Sequence, residues 1–200
     1  KMSVKFKKLS QQNPYLVFKS RYDRALDSGQ KGIEAISISS YDNKKNEVDS
    51  RYVNLKFIIN NEFIFFTNYC SPKASAFNSS DQVAALIYWP VINTQIRMKA
   101  KIKKTSIEFN QKYFIERSKE KNALAISSNQ SNPINSYDQV KENYKKSLKN
   151  DDLKKCPKFW GGYAFTPYYF EFWEGHESRL NKRVVYKKSD DSWKHFIIQP

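Results

Sequence analysis

The spacing of hydrophobic positions in the first half of the chain predicts one helix followed by antiparallel strands. From Tyr15 to Leu26 apolar residues recur with the period of an amphipathic helix, and residues 28–29 (Ser-Gly) end the run. Apolar residues then alternate with polar ones or form short runs, as in strands packed against a core. We therefore predict five strands before residue 106, at residues 33–40, 51–59, 62–67, 82–89 and 94–104.

Turn and cap residues support this order of elements. Residues 60–61 (Asn-Asn) separate the second and third strands as a hairpin turn, since asparagine tolerates positive φ. Ser71 and Pro72 are typical of a helix start, with serine as N-cap and proline at the first helical position. This short helix is expected to carry Ala74 and Phe77 on its inner face.

The second half of the chain predicts two further helices and an aromatic hairpin. A helical pattern covers residues 109–126, and a charged helical pattern covers residues 137–148. Residues 159–186 (FWGGYAFTPYYFEFWEGHESRLNKRVVY) are rich in the aromatic and β-branched residues that strands favour, and a last strand covers residues 193–198. We predict a tight turn at residues 174–175 (Glu-Gly), because glycine lets the backbone reverse.

This aromatic hairpin is the first candidate for a ligand site. It would hold Trp173 beside Arg179 and Arg183. An indole offers a flat apolar wall, and each arginine offers a planar fork of donors that pairs with anions, so the cluster fits a planar anionic ligand. A twisted hairpin with a core tryptophan and solvated arginines fits the same residues.

Composition predicts one folded domain, mostly β with flanking helices (α+β). Two hundred residues with 40% hydrophobic and 16% aromatic content are ample for one hydrophobic core. Residues 1–12 are polar and basic without a burial pattern, which predicts a mobile N-terminus. The single domain is therefore expected to cover residues 13–200.

The charge of the chain favours anionic partners. The net charge is +15 and the isoelectric point is about 9.6. The basic residues are spread along the chain and no nucleic-acid motif is present, so we expect no nucleic-acid partner. No apolar run is long enough to span a bilayer, and Cys70 and Cys156 stand alone, in no disulfide or zinc spacing. We expect no membrane partner, no metal site and a reduced, cytoplasmic setting.

The glycines and arginines narrow the kind of anion site. None of the five glycines falls in G-x-G-x-x-G or G-x-x-x-x-G-K spacing, so a dinucleotide fold or a P-loop is not indicated. Side chains and helix ends must then hold any anion. Only seven of the 35 basic residues are arginines. Since lysine cannot imitate the planar guanidinium fork, these seven positions are candidates for ligand contact.

Four blocks of sequence, read together, resemble one known family. They are residues 51–56 (RYVNLK), 66–73 (FTNYCSPK), 130–131 (QS) and 160–183, which contains WGGY, EFWEG and RLNKR. In this order and spacing they resemble the pyridoxine (pyridoxamine) 5′-phosphate oxidase family, over residues 13–200. The resemblance implies a split β-barrel with flanking helices and a homodimer that binds FMN at the subunit interface. It implies oxidation of pyridoxine or pyridoxamine 5′-phosphate to pyridoxal 5′-phosphate, with O2 as acceptor and H2O2 as product.

The resemblance also assigns roles to individual residues. The implied FMN contacts are Arg51, Lys56, Phe66, Thr67, Lys73, Gln95, Gln130, Ser131, Trp173 and Arg183. The implied substrate contacts are Lys56, Tyr113, Arg117, Lys121, Arg179 and Asn181, of which the first three are directed to the phosphate. Arg179 would hold the substrate over the flavin, with Asn181 as a polar orienting group. Four of the seven arginines thus fall at positions facing an anionic ligand.

Three positions depart from the family pattern. Pro72 stands where the family has an arginine of the flavin loop, Lys121 where it has a phosphate-binding serine, and Asn181 where it has a histidine. The departures keep two alternatives open: a relative that oxidises another planar anionic compound, as in phenazine biosynthesis, and a flavin binder without activity. Apart from the resemblance, Tyr113 and Arg117 also fit a packing pair on a helix, and the lysines fit solvated surface residues.

Overall fold

The computed structural model describes residues 3–200, which form five α-helices, a 3-10 turn and ten strands. The helices are α1 (Asn13–Asp27), α2 (Pro72–Ser79), α3 (Ile107–Glu116), α4 (Lys119–Ser127) and α5 (Tyr137–Asn150), and the 3-10 turn is Pro90–Ile92. The strands are β1 (Lys5–Lys7), β2 (Ala35–Asp42), β3 (Glu47–Asn54), β4 (Phe57–Ile59), β5 (Glu62–Asn68), β6 (Gln82–Trp89), β7 (Thr94–Lys104), β8 (Trp160–Glu174), β9 (Lys182–Ser189) and β10 (Ser192–Ile198).

The described strands form one continuous sheet, which confirms the predicted α+β class. Its order is β1-β4-β5-β8-β7-β6-β2-β3, with β9 paired to β8 and β10 paired to β9. Every pairing is antiparallel except β1 with β4. The longest ladder joins β7 to β8 and shifts register between Lys99 and Ala100. Such a bulge increases local twist, as the coiling of a long strand requires.

The main core lies between α1 and the sheet. Tyr15, Phe18 and Tyr22, spaced as the helical pattern predicts, are at most 3% exposed. The Phe18 ring packs edge-on against Phe63, with ring centroids 5.1 Å apart, and against Trp89 at 5.9 Å. Burial of each such ring stabilises the fold by about 1.5–3 kcal/mol, so these contacts hold the helix on the sheet.

The N-terminal residues differ from the prediction. Val4 is 6% exposed, its backbone N–H donates to the Tyr22 hydroxyl at 2.9 Å, and the Phe6 ring packs edge-on against Tyr22. Strand β1 pairs in parallel with β4. The expected lack of a burial pattern in residues 1–12 is therefore wrong for this stretch, while residues 1–2 lie outside the described residues. The apolar side chains of Val4 and Phe6, which lie among lysines, pack against the main core and hold this stretch in place.

Two predicted elements are interrupted, and both interruptions border the site described below. The strand predicted at residues 51–59 breaks at Lys56, whose N–H donates to the Ile64 carbonyl and whose carbonyl accepts from the Lys5 N–H. The helix predicted at residues 109–126 breaks at Arg117, and Ser118 caps the new helix α4 by accepting from the Lys121 N–H. Together with β1, the split strand makes seven described strands before residue 106, not five.

The connection between β8 and β9 also differs from the predicted tight turn. Residues 175–181 form a longer loop in which the His176 N–H donates to the Asn181 side-chain oxygen at 3.0 Å. The Gly175 N–H donates to the Asn93 carbonyl, and a Cβ at position 175 would overlap the Asn93 amide. Glycine therefore serves close approach here, and the backbone turns with Arg179 at φ 59°.

The remaining helices cover one end of the sheet. Helix α3 contacts β8, and α4 packs on α5. Ser106, Ser118 and Ser136 cap α3, α4 and α5 by accepting from a backbone N–H of the first turn. Ser71 is the predicted N-cap residue of α2, but its hydroxyl donates to the Asn68 carbonyl instead. None of the described helices is long and apolar enough to cross a membrane.

Candidate functional site

A cavity of about 530 Å³ opens where α3 and α4 meet the sheet. It brings together eight of the fifteen predicted site residues: Lys56, Phe66, Thr67, Lys73, Tyr113, Arg117, Lys121 and Gln130. The other lining residues are Lys5, Tyr52, Val53, Asn54, Glu116, Ser118 and Trp160. Five of the lining side chains are cationic and one is a carboxylate, so the cavity as a whole favours an anion.

Lys73 supplies a buried cation at the base of this cavity. It lies in the first turn of α2 and is 8% exposed. Its ammonium donates hydrogen bonds to the Thr67 hydroxyl at 3.1 Å, the Ser71 hydroxyl at 3.3 Å and the Gln130 side-chain oxygen at 3.4 Å. All three partners are neutral. A buried ammonium that hydrogen-bonds only neutral oxygens is costly, and an anionic ligand would compensate that cost.

The electrostatic surroundings of Lys73 reflect this burial. Burial and, to a smaller extent, the nearby charge of Arg51 lower the pKa of Lys73 to about 8, with Asp49 opposing the shift. The amine therefore stays mostly charged at neutral pH and loses its charge as pH rises through about 8. An anion bound beside it would raise the pKa of Lys73 again, because an opposite charge favours the protonated form.

A wall of stacked aromatic rings forms one side of the cavity. Phe66 and Trp160 stack with ring centroids 5.1 Å apart and planes 10° apart, and Tyr113 lies 4.1 Å from Phe66. Gly161 and Gly162 follow Trp160 directly. Neighbouring side chains lie so close to both glycines that a Cβ at either position would overlap them. The wall offers an apolar face to a planar ligand.

Arg117 stands at the break between α3 and α4 and faces this wall. Its guanidinium carbon lies 4.4 Å above the Trp160 ring, a cation–π contact, and Nη2 donates to the Lys121 carbonyl at 3.1 Å. Nη1 is buried without a hydrogen-bond partner among residues 3–200. Burial lowers the pKa of Arg117 from its ordinary value, yet a guanidinium stays charged in proteins. Arg117 thus lines the cavity while one donor of its charged guanidinium is unsatisfied.

Lys56 and Lys121 complete the cationic lining. Burial lowers the pKa of Lys56; Glu34 opposes this shift, and the charges of Lys121 and Arg117 add to it. Lys121 and Arg117 therefore lie close enough to Lys56 to disfavour its charged form. A cluster of cations at one side of a cavity favours an anionic ligand.

Sequence reasoning missed seven of the lining residues, and two of these, Lys5 and Trp160, carry a charge or a ring suited to a ligand. Lys5 lines the cavity because β1 pairs with β4 next to Lys56. A three-residue strand carries no periodicity that could have revealed it. Trp160 was noted only as part of the WGGY block, whereas it stacks with Phe66 and with Arg117. Its position directly before a pair of glycines was the available signal.

Three other predicted site residues lie side by side on neighbouring strands, outside the cavity lining. Gln95 on β7 is the register partner of Trp173 on β8, which in turn is the register partner of Arg183 on β9. Arg183 Nε donates to the buried Glu171 carboxylate at 2.7 Å. The expected neighbourhood of Trp173 and Arg183 is thus present, and we call these three residues the strand cluster.

The remaining four predicted residues are dispersed. Arg51 donates to the Ser40 hydroxyl at 2.9 Å and forms an ion pair with Asp49. Its charge also contributes to the lowered pKa of Lys73. Ser131 follows Gln130 with φ 69° and lines a neighbouring depression. Arg179 and Asn181 lie in the β8–β9 loop, Arg179 exposed and Asn181 half-buried. Within one described chain, the cavity, the strand cluster and this loop are separate groups.

Comparison with solved structures defines the class of fold. PhzG from Burkholderia lata, solved in complex with tetrahydrophenazine-1-carboxylic acid, superimposes with a TM-score of 0.86 at 22% identity, covering 94% of this chain and 93% of that one. A pyridoxamine 5′-phosphate oxidase-related, FMN-binding protein of Nostoc punctiforme gives a TM-score of 0.80 at 14% identity, covering 95% and 100%. The fold is that of the FMN-binding split barrels, as the resemblance implied.

Comparison of sequences then gives the family. Residues 160–200 match a family model described as "Pyridoxine 5'-phosphate oxidase C-terminal dimerisation region". The pyridoxine/pyridoxamine 5′-phosphate oxidase 1 of Hydrogenovibrio crunogenus is 34% identical over 194 residues, which cover 95% of this chain and 89% of that protein. The Coxiella burnetii protein of the same description is 34% identical over 189 residues, covering 94% and 96%. The chain belongs to the pyridoxine 5′-phosphate oxidase family.

Proposed function

We propose that this chain is an FMN-dependent oxidase that converts pyridoxine 5′-phosphate or pyridoxamine 5′-phosphate to pyridoxal 5′-phosphate, with O2 as acceptor and H2O2 as product. With the amine substrate, water supplies the aldehyde oxygen and ammonia is released. The observation that carries the proposal is a cationic cavity with a buried lysine at its base and an aromatic wall. Lys73 hydrogen-bonds only neutral oxygens, and Arg117 Nη1 has no partner. These donors and the stacked rings fit two planar phosphate esters. Family membership supports the proposal.

The cavity residues divide between the two phosphates. Lys73, Thr67 and Gln130 form one hydrogen-bonded group, which would hold the FMN phosphate. Arg117, with Tyr113, lies across the aromatic wall and would hold the substrate phosphate. Lys121 replaces the family's serine with a cation, so it would add a charge-assisted bond to the same phosphate. Binding energy from that phosphate positions the reacting carbon.

The chemistry needs orientation more than proton transfer by the protein. When bound, FMN supplies the hydride acceptor, and O2 takes up the two electrons to give H2O2. Arg179 would hold the substrate ring in place and stabilise developing negative charge, and Asn181 would orient it by hydrogen bonding. Asn181 Oδ1 already accepts from the His176 N–H, so its role includes shaping the loop that carries Arg179.

We further propose that a partner subunit completes the site. The strand cluster and the Arg179 loop are absent from the cavity lining of the described chain, although the resemblance assigns both to the same ligands. Both lie within residues 160–200, apart from Gln95, and those residues match the dimerisation region. A homodimer would place one chain's strand cluster at its partner's cavity. Mixing inactive Lys73→Met protein with inactive Trp173→Ala protein under exchange conditions should then restore activity.

FMN binding is expected to weaken as pH rises above about 8. The pKa of Lys73 in the free protein is about 8, so the amine is charged below that pH and neutral above it. Only the charged form attracts the phosphate, which itself carries about two charges above pH 6. Affinity should be flat from about pH 6.5 to 7.5 and fall by up to about tenfold per unit between pH 8 and 10.

Fluorescence titration of FMN at each pH measures this effect. The Lys73→Met variant serves as the control, because it has no amine to titrate and its weaker binding should stay independent of pH over the same range. Equal slopes in the two proteins would show that another group controls the pH dependence.

Replacement of Arg179 by alanine should separate catalysis from flavin binding. Arg179 is exposed in the β8–β9 loop and does not line the cavity. We expect turnover to fall by about a hundredfold or more, as for loss of one transition-state donor, while FMN affinity changes by less than about threefold. Lys182→Ala, another exposed cation at the end of this loop, is the matched control. Loss of FMN from Arg179→Ala would place Arg179 in the cofactor site instead.

A second candidate function is oxidation of another planar anionic compound. Lys121 in the cavity favours it, because it adds a charge where the family has a neutral hydroxyl, and Asn181 favours it, because an amide cannot change its charge near neutral pH as an imidazole does. Asn181→His distinguishes the two. A large gain on pyridoxine 5′-phosphate would favour the second candidate, whereas little change or a loss supports the first.

Product analysis in air tests the proposed function. FMN-loaded protein is incubated with pyridoxine 5′-phosphate, and pyridoxal 5′-phosphate and H2O2 are quantified together. The proposal predicts the two products in equal amounts, and much less of both from unphosphorylated pyridoxine at the same concentration. Flavin binding without either product would identify the chain as a binder rather than an oxidase of these substrates.

A further inference from the structure

Glu171 on β8 is a buried carboxylate held between two arginines. Its side chain is 1% exposed. Oε1 accepts a hydrogen bond from Arg183 Nε at 2.7 Å. Oε2 accepts from Arg97 Nη1 at 2.9 Å and from the Tyr169 hydroxyl at 3.3 Å. Side chains from three neighbouring strands therefore converge on one carboxylate, which places a fully paired charge inside the sheet.

Stability of the sheet is a weak reason for this arrangement. Removing a carboxylate and a guanidinium from water is expensive, and apolar residues of similar volume often replace such buried pairs without loss of stability. The backbone ladder between β8 and β9 continues on both sides of Glu171, at Phe170 with Tyr186 and Phe172 with Val184. The pairing of these strands needs no charge at position 171. A buried ion pair of this kind is better explained by the geometry it imposes.

The geometry that Glu171 imposes is the direction of the Arg183 side chain. Arg183 is held at two nitrogens, Nε by Glu171 and Nη1 by the Gln199 carbonyl at 3.0 Å. The guanidinium cannot rotate without breaking both hydrogen bonds. Nη2 is the nitrogen that neither bond uses. Because Arg183 is the register partner of Trp173 on the neighbouring strand, the two side chains start from adjacent positions on the same face of the sheet.

We infer that Glu171 is a positioning residue for the flavin: it acts through Arg183, by holding the guanidinium beside Trp173 in the orientation that a bound flavin meets. This inference rests on the proposed function, since it assigns the strand cluster to FMN. Arg97 neutralises the second oxygen of Glu171, so that Arg183 keeps its charge for the ligand rather than sharing all of it with the carboxylate. Glu171 itself touches neither FMN nor substrate.

A double-mutant cycle tests the inference. FMN dissociation constants are measured by fluorescence for the unmodified protein, Glu171→Gln, Arg183→Gln and the double variant. We expect Glu171→Gln to weaken FMN binding by about tenfold, comparable to loss of an outer-shell partner at a metal site. The double variant should bind no more weakly than Arg183→Gln alone, because Glu171 has no route to the flavin except Arg183. Additive losses would overturn the inference.

Controls separate positioning from general damage. Glu62→Gln removes another carboxylate of the sheet, which pairs with Lys103 at 2.7 Å, and should leave FMN affinity unchanged. If Glu171→Gln does not fold, Glu171→Asp replaces it in the cycle, because aspartate keeps the charge. Its shorter side chain should still displace the Arg183 guanidinium and give the same non-additivity with Arg183→Gln. If the unmodified protein does not bind FMN, the proposed function fails. If it binds FMN and Glu171→Gln binds equally well at a temperature where both are folded, only the role of Glu171 fails.

Discussion

Replacement of Lys73 by methionine is expected to reduce FMN affinity by about a hundredfold or more and to raise the thermal stability of the FMN-free protein. Truncation of one partner of a buried charge pair costs about 2–5 kcal/mol of binding, and a hundredfold corresponds to about 2.7 kcal/mol. Stability should rise because Lys73 is 8% exposed and hydrogen-bonds only neutral oxygens. Methionine fills a similar volume without burying a charge.

Two measurements check this pair of effects. Fluorescence titration gives FMN affinity, and thermal denaturation of FMN-free protein gives Tm. Lys101→Met is the matched control, because Lys101 is exposed on β7 and pairs with Asp81 at 2.7 Å; both quantities should stay close to those of the unmodified protein. A Lys73→Met protein that binds FMN normally would contradict the assignment of Lys73 as an anion ligand. A Lys73→Met protein with a lower Tm would contradict the claim that the buried ammonium destabilises the FMN-free fold.

Replacement of Arg117 by alanine is expected to abolish most of the preference for a phosphorylated substrate. Its guanidinium stacks on Trp160, and Nη1 has no hydrogen-bond partner among the described residues. We expect kcat/KM for pyridoxine 5′-phosphate to fall by about a hundredfold or more, the value of a buried charge-assisted contact, while the low kcat/KM for pyridoxine changes little. Arg117→Lys should recover only a small part, since an ammonium neither stacks nor forks.

Steady-state kinetics on the two substrates measure this change in specificity. Arg24→Lys is the control for an arginine substitution, because Arg24 is a half-exposed residue of α1 that pairs with Glu174. FMN affinity should be unchanged in Arg117→Ala, which keeps the effect distinct from that of Lys73. An equal loss on both substrates would show that Arg117 holds the cavity together rather than the phosphate.

Much of the fold followed from periodicity, but the breaks in its elements did not. Helix α1 and strands β2, β6 and β7 agree with the predicted pattern within a few residues. The interruption at Arg117 depends on Ser118, which caps a new helix inside an otherwise helical run. A serine in such a run can either continue the helix or cap a new one, and tertiary packing decides between the two. Strand β1 is too short to show a period, so Lys5 was invisible as a cavity residue.

The candidate site also has a part that the sequence predicted and a part that it could not predict. Five of the eight residues that the cavity brings together lie in the motif blocks: Lys56, Phe66, Thr67, Lys73 and Gln130. Tyr113, Arg117 and Lys121 lie outside the blocks and were assigned by the resemblance as a whole. The relation between the strand cluster and the cavity could not be predicted, since register across three strands, and contact between subunits, are tertiary and quaternary properties. Glu171 was quoted in a motif, yet only the distances to Arg97 and Arg183 show what it holds.

Anaerobic reduction of the flavin tests the central claim most directly. The protein is loaded with FMN, oxygen is removed, pyridoxine 5′-phosphate is added, and visible flavin absorbance is followed. The account predicts rapid bleaching, full recovery of the yellow colour on admission of air, and one pyridoxal 5′-phosphate formed per flavin before air enters. A protein that binds FMN and stays yellow with both pyridoxine and pyridoxamine 5′-phosphate would contradict the proposed oxidase function.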